Sequence, residues 1–280
     1  MFTTIAVIET RHTSVIGRRL ADAALGDQPG SWPLPTASTP AELWLRAVAA
    51  GGQGRYGSAY RDLASLRRCG SGAGRLLSLA HSTQGSFLRQ LGWHALARGW
   101  DGRALALAGD DPEARADALT GLAADALGVG RLAAAATLLA RVDANLGADP
   151  VVPDRIGVRR RWVAAELAMA CGDGDSAVAH ATAGIELAGE MAVASVRHRV
   201  KSEVVMAAAL CSAGAVERAG AVADAALDAT ARFGLIPLRW ALACLLIDIG
   251  SVAFSAQQLH EIRDVCAGQV RRAGGTWRSA

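Results

Sequence analysis

"ELAMACGDGDSAVAHATAGIELA", residues 166–188, decides how the chain is read, because its centre, Gly172-Asp173-Gly174-Asp175-Ser176, admits two meanings. One is an acidic metal loop or a glycine-rich phosphate cradle; the other is a turn between two helices. A calcium loop needs further oxygen ligands at fixed positions and a bidentate Glu six residues after its glycine, and this stretch supplies neither. On both sides the apolar residues recur at three- and four-residue spacing, and carboxylates at the start of a helix complement its dipole. The stretch therefore reads as helix, turn, helix.

The same pattern recurs along the chain. A glycine precedes a small residue by five positions at Gly54/Ala59, Gly99/Ala104, Gly130/Ala135, Gly172/Ala177, Gly214/Ala219 and Gly250/Ser255. Seven residues before each glycine stands another small residue: Ala47, Gly92, Ala123, Ala165, Ala207 and Ala243. Glycine ends a helix in the left-handed conformation, and the small residues let two helices pack closely. Successive glycines lie 45, 31, 42, 42 and 36 residues apart, a period that belongs to stacked helical units. No alternating strand pattern appears after Pro40, so the expected body, residues 40–280, is all α, with about six antiparallel helix pairs. Thr39-Pro40-Ala41-Glu42 has the form of a capping box that opens it. Before it, "DQPGSWPLPTAST" (27–39) reads as a proline-rich linker, and residues 1–26 as an N-terminal helical segment.

The small–seven–Gly–five–small pattern resembles the tetratricopeptide repeat over roughly residues 40–273. "GQGRYGSAYRDLASL", "GVGRLAAAATLLARV" and "CGDGDSAVAHATAGIEL" are similar to its second half, with Tyr56 and Leu132 at the usual apolar position. The uneven spacing is closer to the longer-helixed repeats in helical regions of large bacterial transcriptional regulators. The resemblance implies a right-handed superhelical array, an α-solenoid, whose first helices line a concave groove.

Composition narrows the function. With 280 residues and 51% hydrophobic content the chain can bury a sizeable core. A net charge of +3 is too mild to argue for nucleic acid. The five cysteines are odd in number and far apart, which points to reduced thiols. "MFTTIAVIE" (1–9) has no basic leader, and "VVMAAALCSAGAV" (204–216) falls short of the roughly 20 residues that span a bilayer. A cytoplasmic protein is expected. No H-E-x-x-H, G-x-S-x-G, Walker A or dinucleotide fingerprint is present, so neither an enzyme, a metal site nor a cofactor is expected.

Two basic stretches remain, "RIGVRRRW" (155–162) and "SVRHRVK" (195–201), at corresponding places in consecutive repeats. In the resembling family those places face the groove, so Arg159 and Lys201 stand side by side there. Trp162 and Glu166 share Arg159's helix face. Trp44 and Trp240 occupy Trp162's repeat position, and Arg89 and Trp93 are placed in the groove of their own repeat. A register slip of one residue would move the tryptophans into the core instead. Cations beside aromatic rings suit a carboxylate and an apolar side chain together. The expected function is a non-enzymatic scaffold or regulatory protein that holds a partner peptide or protein, acidic or carrying a C-terminal carboxylate. The alternative is a small-molecule-sensing or nucleic-acid-linked regulatory domain using the same groove. A homo-oligomer stays open.

Overall fold

The computed structural model describes residues 14–69, 74–148 and 152–278, and among them the regular elements are thirteen helices and no strand. They are α1 (Val15–Leu25), α2 (Pro40–Gly52), α3 (Tyr56–Arg68), α4 (Gly74–Gln90), α5 (His94–Leu107), α6 (Pro112–Gly128) and α7 (Leu132–Ala148), then α8 (Asp154–Ala170), α9 (Gly174–Glu190), α10 (Val196–Ser212), α11 (Val216–Arg232), α12 (Ile236–Ile249) and α13 (Ala256–Arg272). From α2 onward they pack as six consecutive pairs. Each even-numbered helix also touches the next even-numbered one, so α2, α4, α6, α8, α10 and α12 form an inner layer and their partners an outer one.

Glycine makes the pairs. Gly54, Gly92, Gly130, Gly172 and Gly214 sit between the two helices of a pair with φ from +75° to +86°. The next N–H in each case reaches back to a carbonyl five residues earlier, as Arg131 N–H does to Ala126 at 2.8 Å and Asp173 N–H to Ala168 at 2.9 Å. The opening stretch is such a turn: Asp173 caps α9 by accepting from Ser176 N–H at 3.0 Å, and the Ser176 side chain together with that N–H holds its carboxyl below the usual range.

One pair departs from the expected register. Gly99 lies inside α5, and the turn is made by Gly92, with Gly85 seven residues before and Ala97 five after. The glycine and alanine content of α5 lets two registers fit the same stretch, and only the earlier one leaves a full helix after the turn. The last pair differs as well. Ser255 is not an interior small residue but the exposed cap of α13, accepting from Gln258 N–H. The small residues around the other turns, including Ala123, Ala135, Ala165, Ala177, Ala207 and Ala219, are fully buried between helices.

An added Cβ at Gly130, Gly172 or Gly214 would meet nothing within 4 Å, so alanine there is penalised by backbone conformation alone. Each Gly→Ala variant is expected to lose about 1–2 kcal/mol in thermal unfolding, the penalty of a left-handed non-glycine residue. Equal melting temperatures for wild type and all three variants would contradict the turn geometry.

The two ends of the array touch. Gly57 N–H donates to the Ala273 carbonyl at 2.7 Å, Arg278 N–H to Leu91 at 2.9 Å, and the Trp93 indole N–H to Thr276 at 2.7 Å. Val270 and Ile236 belong to the same apolar cluster as Leu45, Tyr56 and Leu63. The N-terminal segment adds a strap: α1 buries Leu20, Ala23 and Ala24 in that cluster, and the Gly26 carbonyl accepts from Val196 N–H at 3.1 Å. The Gln53 side-chain amide then holds the Pro29 and Ser31 carbonyls, each at 2.9 Å. At Thr39 the expected capping box forms, and backbone and side-chain donors of Ser38 hold the Glu42 carboxyl down at about 2. Among the described residues no helix is long and apolar enough to cross a membrane.

Candidate functional site

The inner helices surround a cavity of about 350 Å³, to which all six contribute, with Leu25 of α1 and His94 of α5. Its polar wall follows from the repeat. Glu113, Arg155 and Arg197 are spaced by 42 residues, as are Asp117, Arg159 and Lys201, so α6, α8 and α10 present two parallel rows at matching heights. Along the rows opposite charges meet. Arg155 donates to Glu113 at 2.6 Å and to Asp117 at 3.2 Å, and Arg159 pairs with Asp117. Glu113 is also held by Arg75 at 2.7 Å; burial would raise its pKa, but Arg155 and Arg75 outweigh it and leave it lowered.

At α10 the alternation ends. Lys201 finds Glu166 at 3.4 Å, but among the described residues no carboxylate pairs with Arg197, which donates only to the Val48 carbonyl at 3.3 Å. Burial, with Arg155 nearby, lowers the Arg197 pKa to about 10; burial and Arg89 bring Arg159 to about 10 as well. Both remain cationic at neutral pH. His198 lies among them with its ring on Trp162, centroids 5.4 Å apart, and burial together with Arg197, Arg155 and Arg159 lowers its pKa well below the usual value. It is therefore neutral, with Nδ1 2.8 Å from the Ser195 hydroxyl.

A second ionic group backs the wall. Arg89, from the last turn of α4, pairs with Asp101 and with Asp125 at 3.0 Å. Asp101 belongs to the outer helix α5 and reaches inward between two glycines, Gly85 of α4 and Gly121 of α6; a Cβ on either would stand 2.5 Å from its carboxylate. Burial raises the pKa of both acids, against the pull of Arg89. Asp101 Oδ1 and Asp125 Oδ2 are buried and meet no hydrogen-bond partner among the described residues, an arrangement that one proton shared between the two acids relieves. Burial works against the charge on Arg89 but Asp101 and Asp125 outweigh it, so its pKa is raised.

The lining from α1, α2 and the start of α12 is apolar, Leu25, Trp44, Val48, Pro237 and Leu238, with Phe87 of α4; the Arg155 guanidinium lies over the Trp44 ring, 5.7 Å from its centroid. The indole N–H groups are satisfied, Trp44 by Thr83 at 3.1 Å and Trp162 by Ser202 at 2.8 Å.

Of the seven residues expected in a groove, Arg89, Arg159, Trp162, Glu166 and Lys201 line this cavity. Trp93 and Trp240 do not. Trp93 stands at the cap of α5, on the Gly92 turn, and points to the C-terminal tail at Thr276; the misplaced register of that pair had put it inside. Trp240 stacks on Trp277 at 4.1 Å between centroids; α12 has 14 residues where α8 has 17, so the residue ten before the glycine falls a turn nearer the helix start than Trp162 does. Arg155, Arg197, His198, Asp101 and Asp125 were missed as individual site residues. The 42-residue interval that aligns Arg159 with Lys201 also aligns Arg155 with Arg197, and could have found those two.

No protein-family model matches this chain, and none of the curated proteins is similar to it in sequence.

Proposed function

We propose that this chain is a non-catalytic receptor that encloses a small anionic molecule in its central chamber, on a scaffold of tetratricopeptide-like helix pairs. Arg197 carries the reading. A cation facing a partly dehydrated cavity with no carboxylate of its own is costly unless something of opposite charge arrives. Arg159 stands near, and Trp162 and His198 supply a flat surface beside it. The volume lies at the lower end of the range for small-molecule pockets, roughly 300–1,000 Å³. The meeting of Gly57 with Ala273 and of Arg278 with Leu91 favours an enclosed ligand over an extended peptide laid along an open groove. The five free cysteines fit a reducing, cytoplasmic setting for such a receptor.

The test is a thermal-shift screen of small organic anions on wild type and Arg197→Met. A ligand at about a hundred times its Kd stabilises the native state by about 2.7 kcal/mol. At least one anion should raise the melting temperature of wild type in a salt-sensitive way, and the variant, folded by its helical spectrum, should lose that rise. If no anion distinguishes the two proteins, the receptor reading falls.

A further inference from the structure

We infer that the molecule held in the chamber is an organic monoanion with a compact apolar body, its carboxylate on Arg159 and Arg197 and its body against Trp44, Val48 and Leu238. This deepens the small-anion reading and rests on it. Three features of the cavity point the same way: the division of its walls, its charge and its size.

The walls are divided by element. The charged rows stand on α6, α8 and α10, whereas the side formed by α1, α2 and the start of α12 is apolar. Arg197 marks the boundary, since its guanidinium reaches from α10 to the Val48 carbonyl on α2. Gly52 keeps that crossing open; a Cβ there would lie 3.3 Å from the Arg197 side chain. A ligand polar throughout would leave the α2 side dry and unfilled, and one apolar throughout would strip water from Arg197 without replacing it.

Charge sets the number of negative groups. With one proton shared between them, Asp101 and Asp125 carry a single charge that matches Arg89; Glu113 and Asp117 match Arg155 and Arg159, Asp111 stands by Arg75, and Glu166 matches Lys201. Arg197 is the cation left over among the described residues of the chamber, so a single carboxylate completes the balance. A second negative group would find the remaining cations of the lining already held by Glu113, Asp117 and Glu166. A cavity of about 350 Å³ holds a ring or a short branched chain in preference to a long acyl tail.

The experiment is calorimetric titration with 3-phenylpropanoate, its amide, propanoate, phenylsuccinate and phenyl phosphate. 3-Phenylpropanoate is expected to bind, with the amide, propanoate and the two dianions each about tenfold weaker or more. Arg197→Met should weaken it by a similar factor, and Arg197→Lys, which keeps the charge, should restore part of the loss. Tighter, Arg197-dependent binding of phenylsuccinate or phenyl phosphate would overturn the monoanion and leave the receptor reading standing. Equal binding of propanoate would overturn the apolar body. If 3-phenylpropanoate does not bind although another anion of the thermal-shift screen does so through Arg197, this assignment falls and the receptor reading stands; if no anion binds in either experiment, both fall.

Discussion

Arg89→Met is expected to destabilise the protein by about 3–5 kcal/mol at neutral pH, because it leaves the buried Asp101–Asp125 pair without its cation. Asp101 is fully buried and Asp125 equally so, and both already have raised pKa values from burial. Without Arg89 those values rise further. A carboxyl whose folded pKa lies above its unfolded one contributes stability that is complete below the unfolded pKa and is lost as pH rises through the folded value. The deficit of Arg89→Met against wild type should therefore shrink as the pH is lowered from about 8 to about 5, the window above the ordinary carboxylate range. Urea unfolding at several pH values reads this directly. A deficit that stays constant across the window would mean that lost packing, and not stranded charge, is responsible.

Gly121→Ala should cost about 1–3 kcal/mol, and Gly85→Ala the same, as overpacking of a filled interior. The obstacle is unusual in being a carboxylate: each new methyl would stand 2.5 Å from an Asp101 oxygen that is itself held by Arg89. Asp101→Ala removes the obstacle and still leaves Arg89 with Asp125. Combining it with Gly121→Ala should therefore give a loss smaller than the sum of the two single losses by about 1 kcal/mol or more. Strict additivity would show that Asp101 does not pass between the two helices.

Much of the fold could be read from the chain because its turns depend on local chemistry. A glycine with positive φ, a small residue five positions on and another seven before it are features of neighbouring residues, and they place the helix pairs without knowledge of the rest. That reading failed at Gly99, where the composition of α5 satisfies the pattern twice, and at Gly250, where a loop replaces the tight turn. The cavity wall was legible in part for the same reason: Arg159, Trp162 and Glu166 fall on one face of α8, and a constant interval carries Arg159 to Lys201. Asp101 was not legible. It comes from an outer helix and reaches the wall through a gap left by two glycines on other helices, so its role exists only in the packed structure. Nor could the solitary state of Arg197 be read, since pairing is decided by what stands on the adjacent helix.

The contact between the two ends of the array governs how the molecule can come apart. A linear stack of repeats is a chain of nearest-neighbour couplings with two weak ends, so it can fray inward, one unit at a time. Here the first and last pairs are each other's neighbours through Gly57 and Ala273, and the tail from Thr276 to Arg278 clasps the turn at Leu91 and Trp93. Fraying from either end must therefore first break these contacts. The end pairs are thus tied to each other as well as to their neighbours in the stack, which raises the cost of opening the array from its ends. A change in the number of pairs would move Gly57 and Ala273 apart, so this contact ties the length of the array to its curvature.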